Sequence, residues 1–277
     1  MLEQVVYRWY TGGIRLYRWL SAFGINVNVP KFLHAVRLFP VVIKEYFLLE
    51  RQNKETGMKY RLKFSWPMLD EKYSPSGVAS GHYFHQDLLV AKKIFHRKPV
   101  KHVDFGSRVD GFVAHVAVFR TIEVFDIRPL KANIPNITFR QCDLMDREMQ
   151  LSDYCDSVSC LHALEHFGLG RYGDRVDING HLLGLRNLHK ILEAEGTLYL
   201  SVPIGPQHID FNAHRVFAIR TVLEMIKGQF ELVEFSYVDD IGDLHENVTL
   251  DSNNIAKNCG CYYGCGIFEL KKVAGMS

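Results

Sequence analysis

The sequence predicts an α/β fold with a mostly parallel sheet, preceded by a helical N-terminal extension. Three observations carry this prediction. A β-branched run reaches Asp104 and Gly106 and then gives way to an apolar helical pattern. Two further apolar runs end in acids, Asp126 and Asp143. Short strands and helices then alternate as far as Val202, which is typical of parallel strands joined by crossover helices.

Charge divides the 277-residue chain into two parts. Residues 1–100 carry sixteen Lys and Arg against seven Asp and Glu, whereas residues 101–277 carry seventeen against twenty-four. We therefore predict a basic helical extension over residues 1–79 and an α/β domain over residues 80–277. The apolar content of 47% is enough for a packed core, which excludes disorder of the whole chain.

The extension contains two helical patterns and one extended stretch. Glu3–Phe23 is amphipathic, with arginines opposite a tryptophan-bearing apolar face. Such a helix packs on its own domain, packs on a second subunit in an oligomer, or lies on a membrane surface. A second helix is predicted over residues 30–52, with a kink or start at Pro40. Tyr60–Pro67 alternates enough to be a strand or an extended arm.

The chain has no apolar run of about 18 residues and no signal-peptide pattern at its N-terminus. We expect a cytoplasmic protein, with peripheral contact to the inner face of a membrane through residues 3–23 as one alternative. Six cysteines then imply reduced thiols. Cys259, Cys261 and Cys265, with His245, raise the possibility of a zinc or iron–sulfur site. Their spacing matches no standard pair of knuckles, and no metal is expected.

His82, His85 and Asp87 lie in a predicted helix over His82–Phe95, immediately before the first strand. Their spacing is a poor match to the i, i+4 pattern of helical metal ligands, so a metal site is disfavoured here too.

The turn after the first predicted strand favours a nucleotide-sized ligand. Gly106 allows backbone N–H groups to approach such a ligand closely. The third glycine of a dinucleotide fingerprint is missing and no G-K-[ST] follows, so a pyrophosphate cradle and a Rossmann oxidoreductase are disfavoured. Asp126 stands twenty residues after Gly106, the spacing of an acid that binds both ribose hydroxyls.

From these residues onward the chain resembles the class I S-adenosylmethionine-dependent methyltransferases. The resemblance rests on the acid-x-Gly start at Asp104, the Leu-Glu-His tripeptide Leu164–His166 and GTLYLSVPIG. The segments GHYFHQD, FDIRPL, GRYGD and FNAHRVF resemble a family first catalogued in nematodes as of unknown function, with relatives in bacterial surface-polysaccharide gene clusters. Covering roughly Ser80–Lys272, the resemblance implies a Rossmann-like fold: a seven-stranded, mostly parallel sheet with an antiparallel last strand, including strands Phe230–Val238 and Tyr262–Lys271.

The resemblance also implies S-adenosylmethionine as the cofactor. The expected cofactor-binding residues are Asp104, Gly106, Ser107, Asp126, Ile127, Asp143, Leu144, Leu161, His162 and Gln86. Gln86 and Tyr83 belong to a segment that in these enzymes often closes over the cofactor, although a plain packing helix fits the pattern equally well. Ser107 or Arg108 stands where the family has its second glycine, which puts a side chain where the cofactor normally packs against bare backbone.

The loops after the fourth and fifth strands are expected to face the methyl acceptor. The candidate catalytic residues are His214 and His166 as bases and Arg215 as an anion-binding group. The expected substrate-binding residues are Arg171, Tyr172, Asp174 and His208. The glycines around Arg171 fit either a mobile loop or a rigid turn.

The leading prediction is a methyltransferase that acts on an oxygen atom of a sugar or glycan precursor. The alternative is an inactive methyltransferase-like scaffold that the basic extension docks to a membrane surface or glycan-synthesis complex. A nucleic-acid substrate is disfavoured because residues 101–277 are acidic.

Overall fold

The computed structural model describes residues 21–24, 28–56, 60–69 and 71–273. The chain divides into two compact units, residues 1–78 and 79–277. The predicted amphipathic helix Glu3–Phe23 lies almost wholly outside the described residues, so its basic face and its contact with a membrane or a partner stay predictions.

The main element of the first unit is helix α1, Val29–Glu55. Asn28 caps it by accepting a hydrogen bond from the N–H of Lys31 (2.9 Å), and Pro30 lies in the first turn, where its missing N–H costs nothing. The predicted helix over residues 30–52 is confirmed. Pro40 lies inside α1, so no helix starts there. Tyr60–Pro67 has no regular structure, and the strand alternative is wrong.

The second unit contains ten strands within its described residues. They are β1 (His102–Phe105), β2 (Ile122–Asp126), β3 (Ile137–Gln141), β4 (Cys155–Leu161), β5 (Leu192–Ile204), β6 (His208–Asp210), β7 (His214–Val216), β8 (Phe230–Val238), β9 (Leu244–His245) and β10 (Gly264–Lys272). Eight of them form one sheet in the order β3-β2-β1-β4-β5-β10-β8-β9, and β6 pairs with β7 in a separate hairpin.

Strands β1 to β5 pair in parallel, and β10 runs antiparallel to both β5 and β8. This order, with a reversed strand inserted near the edge, is that of the Rossmann-like class I methyltransferase fold, so the predicted fold is confirmed. The strand number differs from the predicted seven because the two-residue strand β9 adds a short edge strand beside β8.

Helices cover both faces of the sheet. They are α2 (His82–Arg97), α3 (Ala114–Ala117), which continues a π-helical turn over Val109–Val113, α4 (Gly180–Ile191), α5 (Ile219–Ile226) and α6 (Ser252–Ala256). The predicted helix His82–Phe95 is confirmed, with two more residues at its end. The polar segment Asp239–Asn258 contains β9 and α6, which are too short for a periodic pattern to show in the sequence.

Alternation along the strands sends side chains to two separate cores. On β5, Leu198 and Leu200 belong to one apolar cluster and Tyr199 to the other. The second cluster packs under α2, which a buried ion pair also anchors: Lys93 Nζ lies 2.9 Å from a carboxylate oxygen of Glu269 on β10. Burial on both faces explains why the central strands read as continuous apolar runs in the sequence.

The loop that follows β4 is a tight, internally bonded turn. The Asp174 carboxylate accepts hydrogen bonds from the N–H groups of Gly168 (2.8 Å), Gly170 (3.1 Å) and Tyr172 (3.1 Å). Gly168 has φ +78°, and a Cβ there would lie 1.9 Å from the carbonyl oxygen of Asp177. Of the two sequence alternatives for this glycine-rich insert, these contacts favour the rigid turn.

Gly168→Ala is expected to destabilise the protein much more than Gly173→Ala. Both glycines have a left-handed φ, +78° and +83°, so either alanine costs about 1–2 kcal/mol of backbone strain. A Cβ at Gly173 meets nothing within 4 Å, whereas a Cβ at Gly168 collides with backbone. We expect a total loss on the order of 3 kcal/mol for Gly168→Ala in urea unfolding. Equal losses for the two variants would contradict this account of the loop.

Candidate functional site

A cleft of about 860 Å³ lies at the carboxyl ends of β1 to β4. Open parallel sheets bind their ligands at this edge, and the volume suits a nucleoside-sized molecule together with a second small molecule. The predicted site residues that line it are Gly106, Ser107, Asp126, Ile127, Asp143, Leu144, His162, His166, Arg171, Tyr172, Asp174 and His214.

The turn after β1 brings bare backbone to the wall of the cleft. Gly106 has φ +75°, and its N–H donates to the carbonyl of Phe125 (2.9 Å) on the neighbouring strand. A Cβ at this position would lie 2.9 Å from the Cβ of Ala163. Both the backbone conformation and the close packing therefore require glycine, as the sequence predicts.

Asp104, predicted as a cofactor-binding residue, lies behind this turn and does not line the cleft. It is fully buried and accepts hydrogen bonds from the backbone N–H (3.0 Å) and hydroxyl (2.5 Å) of Ser107 and from the hydroxyl of Ser159 (2.6 Å). Burial raises the pKa of Asp104 to about 7, although these donors oppose the shift. Its role is to hold the turn against β4.

The carboxylate at the end of β2 is already paired with an arginine. Arg128 donates from Nε to one oxygen of Asp126 (2.9 Å) and from Nη2 to the other (2.6 Å). The same guanidinium lies 4.4 Å from the ring centroid of Tyr172, so it connects the strand end with the loop after β4. Arg128 lines the cleft and was not predicted, although its place two residues after Asp126 was a usable signal.

The other end of the cleft is more apolar. Phe105 and Phe125 stack with ring centroids 4.8 Å apart, and both line the cleft with Leu144. Asp143, just after β3, accepts a hydrogen bond from the N–H of Met145 (2.8 Å). An apolar slot bordered by one carboxylate is suited to a flat heteroaromatic ring that carries an exocyclic amine.

Imidazoles and aromatic rings form the opposite side of the cleft. The His166 Nδ1 donates to the carbonyl of Ala213 (2.6 Å), which leaves its Nε2 near the Glu165 carboxylate (3.6 Å). His214 packs against the ring of Tyr263, with centroids 5.2 Å apart. Burial lowers the pKa of both His166 and His214, so both rings are neutral at neutral pH and His214 is available to accept a proton.

Four further predicted site residues lie outside the cleft. Gln86 and Leu161 are buried, with 1% and 2% exposure, and His208 lies on the hairpin strand β6. Arg215 is 3% exposed and donates to the backbone carbonyls of Glu165, Phe167 and Ile178. These hydrogen bonds hold the loop after β4 in place. The Arg215 guanidinium therefore does not face the cleft as a binding group for an anionic substrate.

Arg108, one of the two residues expected at the family's second glycine position, forms a local ion pair. Arg108 lines the cleft, where its Nη2 lies 2.7 Å from the Asp110 carboxylate and its guanidinium lies 5.2 Å from the ring centroid of Tyr83. Tyr83 also lines the cleft, unlike the neighbouring Gln86. The remaining aromatic side chains of the cleft that were not predicted as site residues are His82, Phe139, Phe167 and Tyr263.

A buried histidine–glutamate pair closes the floor of the cleft. His162, directly after β4, has φ +47°, and its Nδ1 lies 2.8 Å from Glu165 Oε1. Burial would lower the pKa of His162, but Cys265 and Glu165 hold it above its usual value. Burial would likewise raise the pKa of Glu165, but His162 and His166 hold it below its usual value.

The three cysteines of the C-terminal run do not come together as one group of potential metal ligands within the described residues. Within the described ranges, Cys259 and Cys261 join no group of three potential metal ligands. His245 instead lies 2.8 Å from the Asp239 carboxylate.

The sequence matches one family model, described as Caenorhabditis protein of unknown function, DUF268, over residues 122–264. The match covers slightly more than half of the 277-residue chain. The chain belongs to this family. The DUF268 match begins at β2 and reaches the start of β10, so it includes Asp126 and the loop after β4. No curated protein sequence matches the chain.

Solved structures with a similar chain course include the [4+2]-cyclase SpnF, at 12% identity and a TM-score of 0.49, covering 73% of this chain and 90% of SpnF. A second is the 1,6-didemethyltoxoflavin-N1-methyltransferase of Burkholderia thailandensis with bound S-adenosylhomocysteine, at 12% identity and a TM-score of 0.47. The match covers 86% of this chain and 90% of that enzyme. A third is the N-methyltransferase NodS of Bradyrhizobium japonicum WM9, at 12% identity and a TM-score of 0.45, covering 69% of this chain and 88% of NodS. The strand order, not these likenesses, carries the fold assignment.

Asp104→Asn is expected to change how stability depends on pH. The free Asp carboxyl ionises near 3.8 and the buried one near 7, so between these values the folded protein holds a proton that the unfolded chain releases. Ionisation of Asp104 therefore lowers stability as pH rises from about 4 to 7, by on the order of 4 kcal/mol.

In urea unfolding from pH 4 to pH 8, the wild type should lose stability relative to Asp104→Asn as the pH rises. Contributions from other groups, including His102, whose pKa burial lowers to about 3, are common to both proteins and cancel. If the difference in unfolding free energy between the two proteins did not change with pH, the pKa of Asp104 would be the same in the folded and unfolded states.

Proposed function

We propose that this chain is a cytoplasmic S-adenosylmethionine-dependent methyltransferase that methylates a hydroxyl group of a small molecule, a sugar or a glycan precursor. One observation carries the proposal: Asp126 and Asp143, at the ends of adjacent parallel strands, line the same cleft as the bare backbone turn at Gly106. This is the placement expected of ribose-binding, adenine-binding and methionine-binding elements at the carboxyl edge of such a sheet.

The residues present fit the cofactor. Asp126 would accept the two ribose hydroxyl hydrogen bonds, and Asp143 would accept from the adenine amine, as the family resemblance implies. Ile127 and Leu144 supply apolar contacts to the ring, and the turn at Gly106 admits the methionine end. When bound, the cofactor supplies a sulfonium methyl group for in-line displacement.

The Asp126–Arg128 ion pair does not prevent this use of Asp126. A carboxylate has about four lone-pair sites, and Arg128 occupies three of them, two with its guanidinium and one with its backbone N–H (2.8 Å). One ribose hydroxyl can bind the remaining site, and the second can bind if the Arg128 guanidinium moves onto the ring of Tyr172, which it already contacts. The ion pair holds the Asp126 carboxylate in place before a ligand binds.

His214 is the candidate general base for the acceptor hydroxyl. Its ring is neutral because burial lowers its pKa, it lines the cleft, and its Nε2 lies 3.8 Å from the Asp210 carboxylate, which would stabilise the protonated ring. Tyr172 and Tyr263 offer flat apolar faces for a sugar ring, and Arg171 offers a cation at the mouth. Most of the remaining rate enhancement would come from positioning.

A second candidate function is an inactive methyltransferase-like scaffold. The observation that favours it is the presence of two arginine side chains in the cleft, Arg108 beside the glycine turn and Arg128 paired with Asp126. In that case the basic residues 1–79 would dock the chain to a membrane surface or glycan-synthesis complex. Cofactor binding separates the two candidates.

Calorimetric titration with S-adenosylhomocysteine is expected to give micromolar binding to the wild type. Asp126→Ala should weaken binding by at least about tenfold, because charge-assisted hydrogen bonds to the ribose are lost. Asp153→Ala, which removes an exposed carboxylate paired with Lys272 away from the cleft, is the matched control and should bind like the wild type. Absence of binding by folded wild-type protein would leave the scaffold as the surviving candidate.

His214→Asn should lower methyl transfer by about 10²–10⁴-fold while leaving S-adenosylhomocysteine affinity within a factor of a few. The assay follows a labelled methyl group onto a panel of nucleotide sugars and glycans. His208→Asn, on the facing strand of the same hairpin but outside the cleft, is the matched control. Full activity of His214→Asn would assign the base elsewhere, with His166 as the next position to test.

A further inference from the structure

We propose that His82, His162 and Cys265 form a binding site for a zinc-like divalent cation beside the cleft. One potential ligand atom from each of the three residues lies within 4.8 Å of the other two. The residues come from the start of α2, the end of β4 and the start of β10, so only the folded chain brings them together. This inference does not depend on methyltransferase activity.

The donor set is one that zinc prefers. Two imidazole nitrogens and one thiolate are borderline-soft ligands, and zinc binds them at about 2.0–2.1 Å and 2.3 Å in tetrahedral geometry. Tetrahedral ligands at these lengths are separated from one another by roughly 3.5 Å. The three side chains would therefore need to close by about 1 Å. Because a bound metal lies in the plane of each imidazole, the His82 ring, the most exposed of the three, would also have to turn out of its stack on His162.

An unpartnered buried nitrogen points to a missing ligand at this position. The His162 side chain is 4% exposed, and its Nε2 has no hydrogen-bond partner. Buried polar atoms without partners are uncommon and cost about 1–3 kcal/mol each. A cation bound to Nε2 would remove this penalty.

The other nitrogen of His162 has the partner that metal-bound histidines usually have. The Nδ1 lies 2.8 Å from Glu165 Oε1, and this carboxylate is itself 1% exposed. A carboxylate on the far nitrogen fixes the tautomer, so that Nε2 presents its lone pair to the metal once the cation has displaced the Nε2 proton. Glu165 is thus a positioning residue in this proposal.

Cys265 would be the most rigid of the three ligands, and His82 lies where a cation would enter the site. Cys265 is fully buried in β10, between β5 and β8, so its Sγ is held in place. His82 is the first residue of α2, and its ring stacks on that of His162 with centroids 5.2 Å apart. Both histidines line the cleft, whereas Cys265 does not, so a cation would enter from the cleft side.

The same burial argues against a nucleophilic role for Cys265. A Cys–His–Glu series could in principle activate a thiol, but a sulfur atom with no exposure cannot reach a substrate. Metal coordination needs only the sulfur lone pair. Three protein ligands would leave a fourth position directed toward the cleft, where a bound water, hydroxyl or thiol would lose its proton more readily.

Cobalt(II) titration of the full-length protein tests the site without any S-adenosyl compound. The wild type should bind one equivalent, with thiolate-to-cobalt charge-transfer absorption and the intense visible bands of a tetrahedral ion, and zinc should displace the cobalt. Cys265→Ser should lose the charge-transfer band. Cys261→Ser, which removes a buried thiol in the other core cluster, is the matched control and should keep it.

Histidine and glutamate variants give a graded second test. His82→Asn, at a half-buried helix start where folding is least at risk, should weaken cobalt affinity by at least roughly 100-fold, and Glu165→Gln by about 10–100-fold. Circular dichroism checks that each variant is folded. A folded wild type that binds no stoichiometric cobalt, or a Cys265→Ser variant that binds cobalt like Cys261→Ser, would overturn the proposal, whatever the outcome of the cofactor titration.

Discussion

A single buried carboxylate, Asp104, joins the first strand, the glycine turn and the fourth strand of this protein. It receives two hydrogen bonds from Ser107 and one from Ser159, so the turn cannot move independently of β4. Both walls of the cleft depend on this, because Gly106 stands on one strand and His162 follows the other. The raised pKa of Asp104 shows that this arrangement costs stability when the carboxyl ionises.

The mouth of the cleft is organised by polar side chains that bind backbone. Asp174 accepts hydrogen bonds from three N–H groups within the loop after β4. Arg215 donates hydrogen bonds to three backbone carbonyls, two of them close to that loop. Buried charges used in this way hold irregular backbone in one conformation, since each satisfies several groups that a loop would otherwise leave unpaired. The result is a rigid frame for Arg171 and Tyr172.

The two proposals draw on different parts of the same cleft. The cofactor proposal uses the ends of β1, β2 and β3, whereas the cation proposal uses the floor beside β4 and β10. If both proposals hold, the open coordination position of the cation would lie on the side of the cleft where His214 faces the methyl acceptor. Either the metal or the His214 imidazole could then promote deprotonation of the acceptor hydroxyl. The variants at His214 and Cys265 separate these contributions.

The sequence by itself determined the fold and which residues at the strand ends meet at the cleft. Gly106, Asp126 and Asp143 stand at strand ends, and in a parallel sheet the strand ends converge on one edge, so local pattern is enough to bring them together. The same reasoning failed for Arg215. It follows His214 on β7, where successive side chains point to opposite sides, and only packing decides which of the two faces the cleft.

Tertiary structure alone decided the remainder. Gln86 and Tyr83 share one helix, yet Gln86 is buried against Ser201 while Tyr83 lines the cleft, because the docking of α2 sets which side is covered. His82, His162 and Cys265 lie far apart in the chain and match no ligand spacing. Their convergence depends on where a helix start, a strand end and an antiparallel strand meet across the sheet, a relation that no local pattern encodes.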